Sequence, residues 1–70
     1  MPRYKETFED FYGCTYSILH QPDDTYRMAA RTVHGNLFHM KTYNTRRGAM
    51  IALGKLTEGT AHPTGKKEVI

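Results

Sequence analysis

The sequence predicts an α+β domain: a three-stranded antiparallel β-meander with one C-terminal helix packed on one face, a short N-terminal helical segment and a disordered C-terminal tail. Three observations predict it. Runs of strand formers at 14–20, 25–33 and 37–43 are separated by turn signals. Residues 45–57 carry a helical apolar period. The two ends show no alternating pattern. The expected organisation is a helical segment over 1–13, a β-β-β-α core over 14–57 and a flexible tail over 58–70.

Taken in order, residues 1–13 place Tyr4, Phe8, Phe11 and Tyr12 on one face of a short helix. About ten residues form too short a helix to stand alone, so it must dock. Gly13 is its expected stop. Residues 14–20, CTYSILH, form the first strand. Gln21, Pro22, Asp23 and Asp24 make a turn, because proline fixes φ and aspartate bonds its own backbone. Residues 25–33 form the second strand, His34, Gly35 and Asn36 a tight turn, and 37–43 the third strand.

Parity then assigns the faces. A loop over 34–36 pairs residue 31 with 39 and 29 with 41; a loop over 22–24 pairs 19 with 27 and 17 with 29. Opposed residues share a face. Tyr16, Ile18, Tyr26, Met28, Ala30, Phe38 and Met40 should form the apolar face. Thr15, Ser17, Leu19, Arg27, Ala29, Arg31, Val33, Leu37, His39, Lys41 and Tyr43 should form the other. The helix starts at an N-cap, Asn44 or Thr45, and its Ala49, Ala52, Leu53 and Leu56 should cover the apolar face. The tail from Glu58 has glycine, proline and threonine and no apolar period, which reads as disorder.

Charge is segregated along the chain. Residues 25–57 hold six basic residues and no Asp or Glu, while all seven acidic residues lie in the flanks. With a net charge of +3, anionic partners are favoured. Arg27, Arg31, His39, Lys41 and Tyr43 on one sheet face could neutralise and hydrogen-bond phosphates; the plain alternative is the solvated side of an antiparallel sheet. Arg46 and Arg47 sit in the first helical turn, where the macrodipole disfavours cations. With free N–H groups there they could hold a phosphate or carboxylate, or cover the core edge with their stems.

Other chemistry is poorly provided for. The single cysteine, Cys14, excludes an internal disulfide and favours a reducing compartment. Neither the histidines nor Cys14 have a zinc-ligand spacing, so no metal or other cofactor is expected. Nucleophile elbow, glycine-rich phosphate loop and paired core carboxylates are all missing, and an enzyme is not expected. No apolar run approaches the ~20 residues of a membrane span, and the expected location is the cytoplasm.

A three-stranded sheet followed by one helix resembles, in topology over 14–57, the arm-binding domains of phage and transposon integrases and the plant AP2 domains. There the sheet reads the DNA major groove; the tryptophans that mark AP2 domains are absent here, and no residue roles carry over. A short, basic, cysteine-poor chain also resembles small phage or mobile-element proteins, many of which inhibit one host enzyme. Two functions follow. The first is a nucleic-acid-binding regulator, with DNA as the expected ligand of Arg27, Arg31, His39 and Lys41 on the sheet and of Arg46 and Arg47 at the helix start. The second is an inhibitor or adaptor that meets an acidic host protein, with Leu37, Ile51 and Lys55, beside Tyr43, at its interface. A homodimer, through an edge strand or segment 8–11, is compatible with either.

Overall fold

The computed structural model describes residues 3–69. The elements are β1 (Tyr4–Glu9), β2 (Thr15–His20), β3 (Tyr26–Arg31), β4 (Leu37–Tyr43), α1 (Arg46–Thr57) and β5 (His62–Val69). The strands form one antiparallel sheet in the order β4-β3-β2-β1-β5. The helix carries the chain from one edge of the sheet to the other.

The expected three-stranded meander is therefore corrected to a five-stranded sheet, in which β2, β3 and β4 are neighbouring strands. Both ends correct the expectation. Among the described residues of segment 1–13 there is no helix, residues 1 and 2 lying outside them: Tyr4–Glu9 is a strand paired with β2. A four-residue spacing such as Tyr4 to Phe8 fits a strand as well as a helix, since both positions fall on one face at period two. Nor is the 58–70 tail structureless, for His62–Val69 pairs with β1. Its order comes from backbone pairing, which leaves no trace in side-chain pattern.

Helix α1 packs on β2, β3 and β4. The core is Phe8, Tyr16, Ile18, Met28, Ala30, Ala49 and Leu53. Alanine at 30 and 49 lets the helix approach the sheet closely, and both are fully buried. Thr45 is the N-cap, its Oγ1 accepting from the Gly48 N–H at 3.0 Å. Glu58 ends the helix in the left-handed conformation (φ 54°), and the Gly59 N–H reaches back to the Gly54 carbonyl at 2.9 Å.

Register is where the sheet departs from parity. The β2–β3 pairing is the expected one, with Leu19 opposite Arg27 and Ser17 opposite Ala29. In β3–β4, Arg31 pairs with Leu37 but Ala30 with His39, which leaves Phe38 as the extra residue of a β-bulge. Beyond the bulge every β4 side chain is on the opposite face from the one expected. His39, Lys41 and Tyr43 join Ala30, Met28 and Tyr26 on the helix face, and Met40 joins Ala29 on the open face.

Candidate functional site

The bulge divides the expected basic surface. Arg27 and Arg31 stand on the open face, while His39, Lys41 and Tyr43 stand on the helix face. The single face of five anion-binding residues is not formed. Each cation has its own surroundings. Arg27 is met by the Gln21 side-chain amide, which with its oxygen turned inward accepts from Nε and Nη2 at 2.9 Å. Arg31 Nη1 donates to the Gly35 carbonyl at 3.2 Å. Lys41 Nζ lies 5.5 Å from the centre of the Tyr43 ring. The Nε2 of His39 is buried without a hydrogen-bond partner.

Arg46 and Arg47 also part company. Arg46 forms a two-point bond to Glu6 on β1, Nε to Oε2 at 2.7 Å and Nη2 to Oε1 at 2.9 Å. That hydrogen bond, strengthened by the nearby charges of Arg46 and Lys67, holds the Glu6 carboxyl below the usual glutamate range. Arg47 and Lys55 are exposed, and Ile51 faces solvent at 51% exposure. The Arg46 pairing was hidden in the sequence because Glu6 reads there as the solvated side of a helix.

The most distinctive surface lies at the end of the sheet where the β1–β2 and β3–β4 turns meet. Gly13 (φ 82°) ends the first turn, and a Cβ there would come within 3.3 Å of Val33 Cγ2 in the second. Phe11 and Tyr12 are more than 80% exposed, and Val33 is 65% exposed. Phe38, the unpaired residue of the bulge, sets its ring edge-on to Tyr16, with centroids 6.3 Å apart. Leu56 of the helix borders the same turn as Phe11 and Tyr12. A group of large apolar side chains thus surrounds one tip of the molecule, and such patches mark interaction surfaces.

An acidic anchor fixes this tip from beneath. The Asp10 carboxylate accepts from the backbone N–H groups of Tyr12 (2.9 Å) and Cys14 (3.1 Å) and from the Tyr16 hydroxyl (2.6 Å). The Tyr16 hydrogen bond, aided by those two N–H groups, lowers the Asp10 pKa. Burial first, then Asp10, raises that of Tyr16. The turn bearing Phe11 and Tyr12 is held in shape, so its aromatic rings are presented rather than trailing.

The two edges of the sheet are unlike. β5 carries Pro63 and a run of charged residues ending in Lys67 and Glu68, devices that discourage a further strand. β4 has no proline; Leu37, Phe38 and Met40 are each about half exposed, with Lys41 its one charged residue apart from His39. Leu37 and Met40 lie towards the open face and Phe38 contacts Tyr16 on the other, beside His39 and Lys41, so the edge presents large apolar side chains on both faces. Of the tip and edge residues, sequence reasoning found Leu37. It placed Phe38 and Met40 in the core and Phe11 on a helix. The adjacent pair Phe11-Tyr12 before Gly13 was the available signal.

Among the described residues no group of three or more His, Cys, Asp or Glu gathers to hold a metal ion. No helix there is long and apolar enough to cross a membrane. No protein-family model, curated protein or solved structure matches the chain.

Proposed function

We propose that the chain is a non-catalytic protein-binding module, an inhibitor or adaptor that docks through the β4 edge and the adjoining apolar tip. One observation carries this reading: Leu37, Phe38 and Met40 remain exposed on an edge strand with free backbone groups. A partner strand laid along β4 would gain main-chain hydrogen bonds and cover those side chains. Arg31, Lys41 and exposed His34 border the edge, so the partner surface should be apolar at its centre and acidic at its rim. Affinity capture from nuclease-treated cytoplasmic extract, run side by side with variants, tests it. One protein should be retained in stoichiometric yield, lost with Phe38→Asp or Met40→Lys and kept with Arg27→Ala. Retention that ignores Phe38 and Met40 would sink the reading.

A second reading, nucleic-acid binding, has its own support on the open face. Lys5, Thr7, Thr15, Ser17 and Arg31 border one shallow depression there, a mixture of cations and hydroxyls suited to phosphates. It involves Lys5 and excludes Lys41. Fluorescence anisotropy with duplex DNA, single-stranded DNA and RNA should then show steeply salt-dependent binding. Lys5→Ala and Arg31→Ala would weaken it and Lys41→Ala would not. Equal loss with Lys41→Ala, or no binding at low salt, would remove this second reading.

A further inference from the structure

On the helix face, α1 leaves the β1–β5 side of the sheet uncovered, and a half-open groove of about 410 Å³ remains between them. Small-molecule sites usually occupy roughly 300–1,000 Å³. Phe8, Met50, Leu53, Ala61 and Pro63 line it. The lining is mostly aliphatic, with one aromatic ring. Three charges are collected on its border. Glu6 holds Arg46 by two hydrogen bonds and is paired in register with Lys67. Lys67 Nζ lies 4.6 Å from the centre of the Tyr4 ring. Two cations therefore face one carboxylate, and the polar end of an apolar groove carries net positive charge.

A second, independent observation concerns Gly54. It lies inside α1 and borders the groove, and a Cβ built on it meets nothing within 4 Å. Its φ is not positive, so neither packing nor backbone conformation requires glycine there. Glycine weakens a helix interior relative to alanine. The residue gives up helix stability at the point where a side chain would narrow the groove.

We infer that this groove binds a straight-chain aliphatic carboxylate, with its chain over Phe8, Met50, Leu53 and Pro63 and its head group at Lys67 and Arg46. The aliphatic lining suits a saturated chain, and the two-to-one balance of cations selects an anion over a neutral or cationic head. The site is separate from β4 and the apolar tip, so it stands whether or not the tip docks on a protein.

Decanoate, kept below its micelle concentration, is the probe; decanol is the neutral control, and amide NMR shifts and calorimetry are the readouts. Saturable one-to-one binding is expected, with shifts centred on Leu53, Gly54 and Gly65. Gly54→Leu should fill the groove and weaken binding by roughly tenfold or more, while the melting temperature stays the same or rises. Lys67→Gln should bring decanoate down to the affinity of decanol. Absence of saturable shifts, shifts centred elsewhere, or unchanged affinity in folded Gly54→Leu would overturn the site. Decanol binding as tightly as decanoate to the unsubstituted chain would overturn its anion preference. Groove shifts that follow protein concentration instead of decanoate would give the groove to a second copy of the chain and overturn the proposal as well.

Discussion

The two halves of the helix-facing side of the sheet are built differently. Under α1, strands β2 and β3 contribute Tyr16, Ile18, Met28 and Ala30, all between 0 and 4% exposed. On the other half, Phe8 is the one buried hydrophobic of β1, and β5 adds none to the core. The first half is held by side-chain burial, the second by the backbone ladder between β1 and β5 and one ion pair to the helix. A strand can thus be added to a small domain without enlarging its core. The half that it extends is then left with a groove.

The largest expected effect tests where the stability resides. Met28→Ala removes a fully buried side chain and should cost about 2–5 kcal/mol. A chain of this size has a total stability of only about 4–10 kcal/mol, so a large share of it would be lost. Pro63→Ala, on the uncovered half and exposed, should change stability by no more than about 0.5 kcal/mol. Urea denaturation followed by circular dichroism measures both. Similar costs for the two would mean that the halves share one core.

Glu58 lies in the link that leads from the covered half to β5. It combines a left-handed backbone with a negative charge at a helix C-terminus. The conformation costs a non-glycine residue about 1–2 kcal/mol, and glycine's extra freedom in the unfolded chain offsets about 0.5–1 kcal/mol of the relief. With the unfavourable charge also removed, Glu58→Gly should stabilise by about 1 kcal/mol. A loss of stability in thermal melts would show that the carboxylate has a partner role of its own. Next in size, Gly54→Ala on the groove side of α1 should stabilise by about 0.5–1 kcal/mol, since its new methyl meets open space. A decrease there would mean that the groove closes in solution.

The same division decided how much of the molecule could be read from the chain. β2, β3 and the helix were legible because burial writes a pattern: Tyr16 with Ile18, Met28 with Ala30, and Ala49 with Leu53 recur at their element's period. The β2–β3 register followed from a turn closed by the Gln21 N–H to the Thr25 carbonyl. β5 was illegible because a strand held by its backbone needs no apolar alternation, and β1 because Glu6 lies between Tyr4 and Phe8 on the inner face. A carboxylate there is tolerable only with Arg46, forty positions away. The bulge at Phe38 adds one residue to a strand without altering composition. That single residue moved Lys41 and His39 away from Arg31 and, with them, the expected binding face. The apolar β4 edge was missed for the same reason: Met40 looks like a core residue until the register is known.

The smallest effect is the most discriminating. The Glu6–Arg46 pair ties α1 to the uncovered half, but the arginine side chain is 51% exposed. Glu6→Gln should therefore cost only about 0.5 kcal/mol at neutral pH. Its pH dependence has a definite sign. The Glu6 pKa is lower in the folded chain than the ordinary 4.5, so the pair's contribution is complete above that value. It is lost as the pH falls through the lowered folded value. The difference between Glu6→Gln and the unsubstituted chain should accordingly shrink towards zero in acid. A difference that survived there would have a cause other than the ion pair. Hydrogen exchange then shows which half the pair supports. Faster exchange confined to β1 and β5 amides is expected, because β2 and β3 keep their core when the tie is cut. Equal acceleration throughout the sheet would mean that the two halves open together, and that the small core of β2 and β3 depends on the ladder beside it.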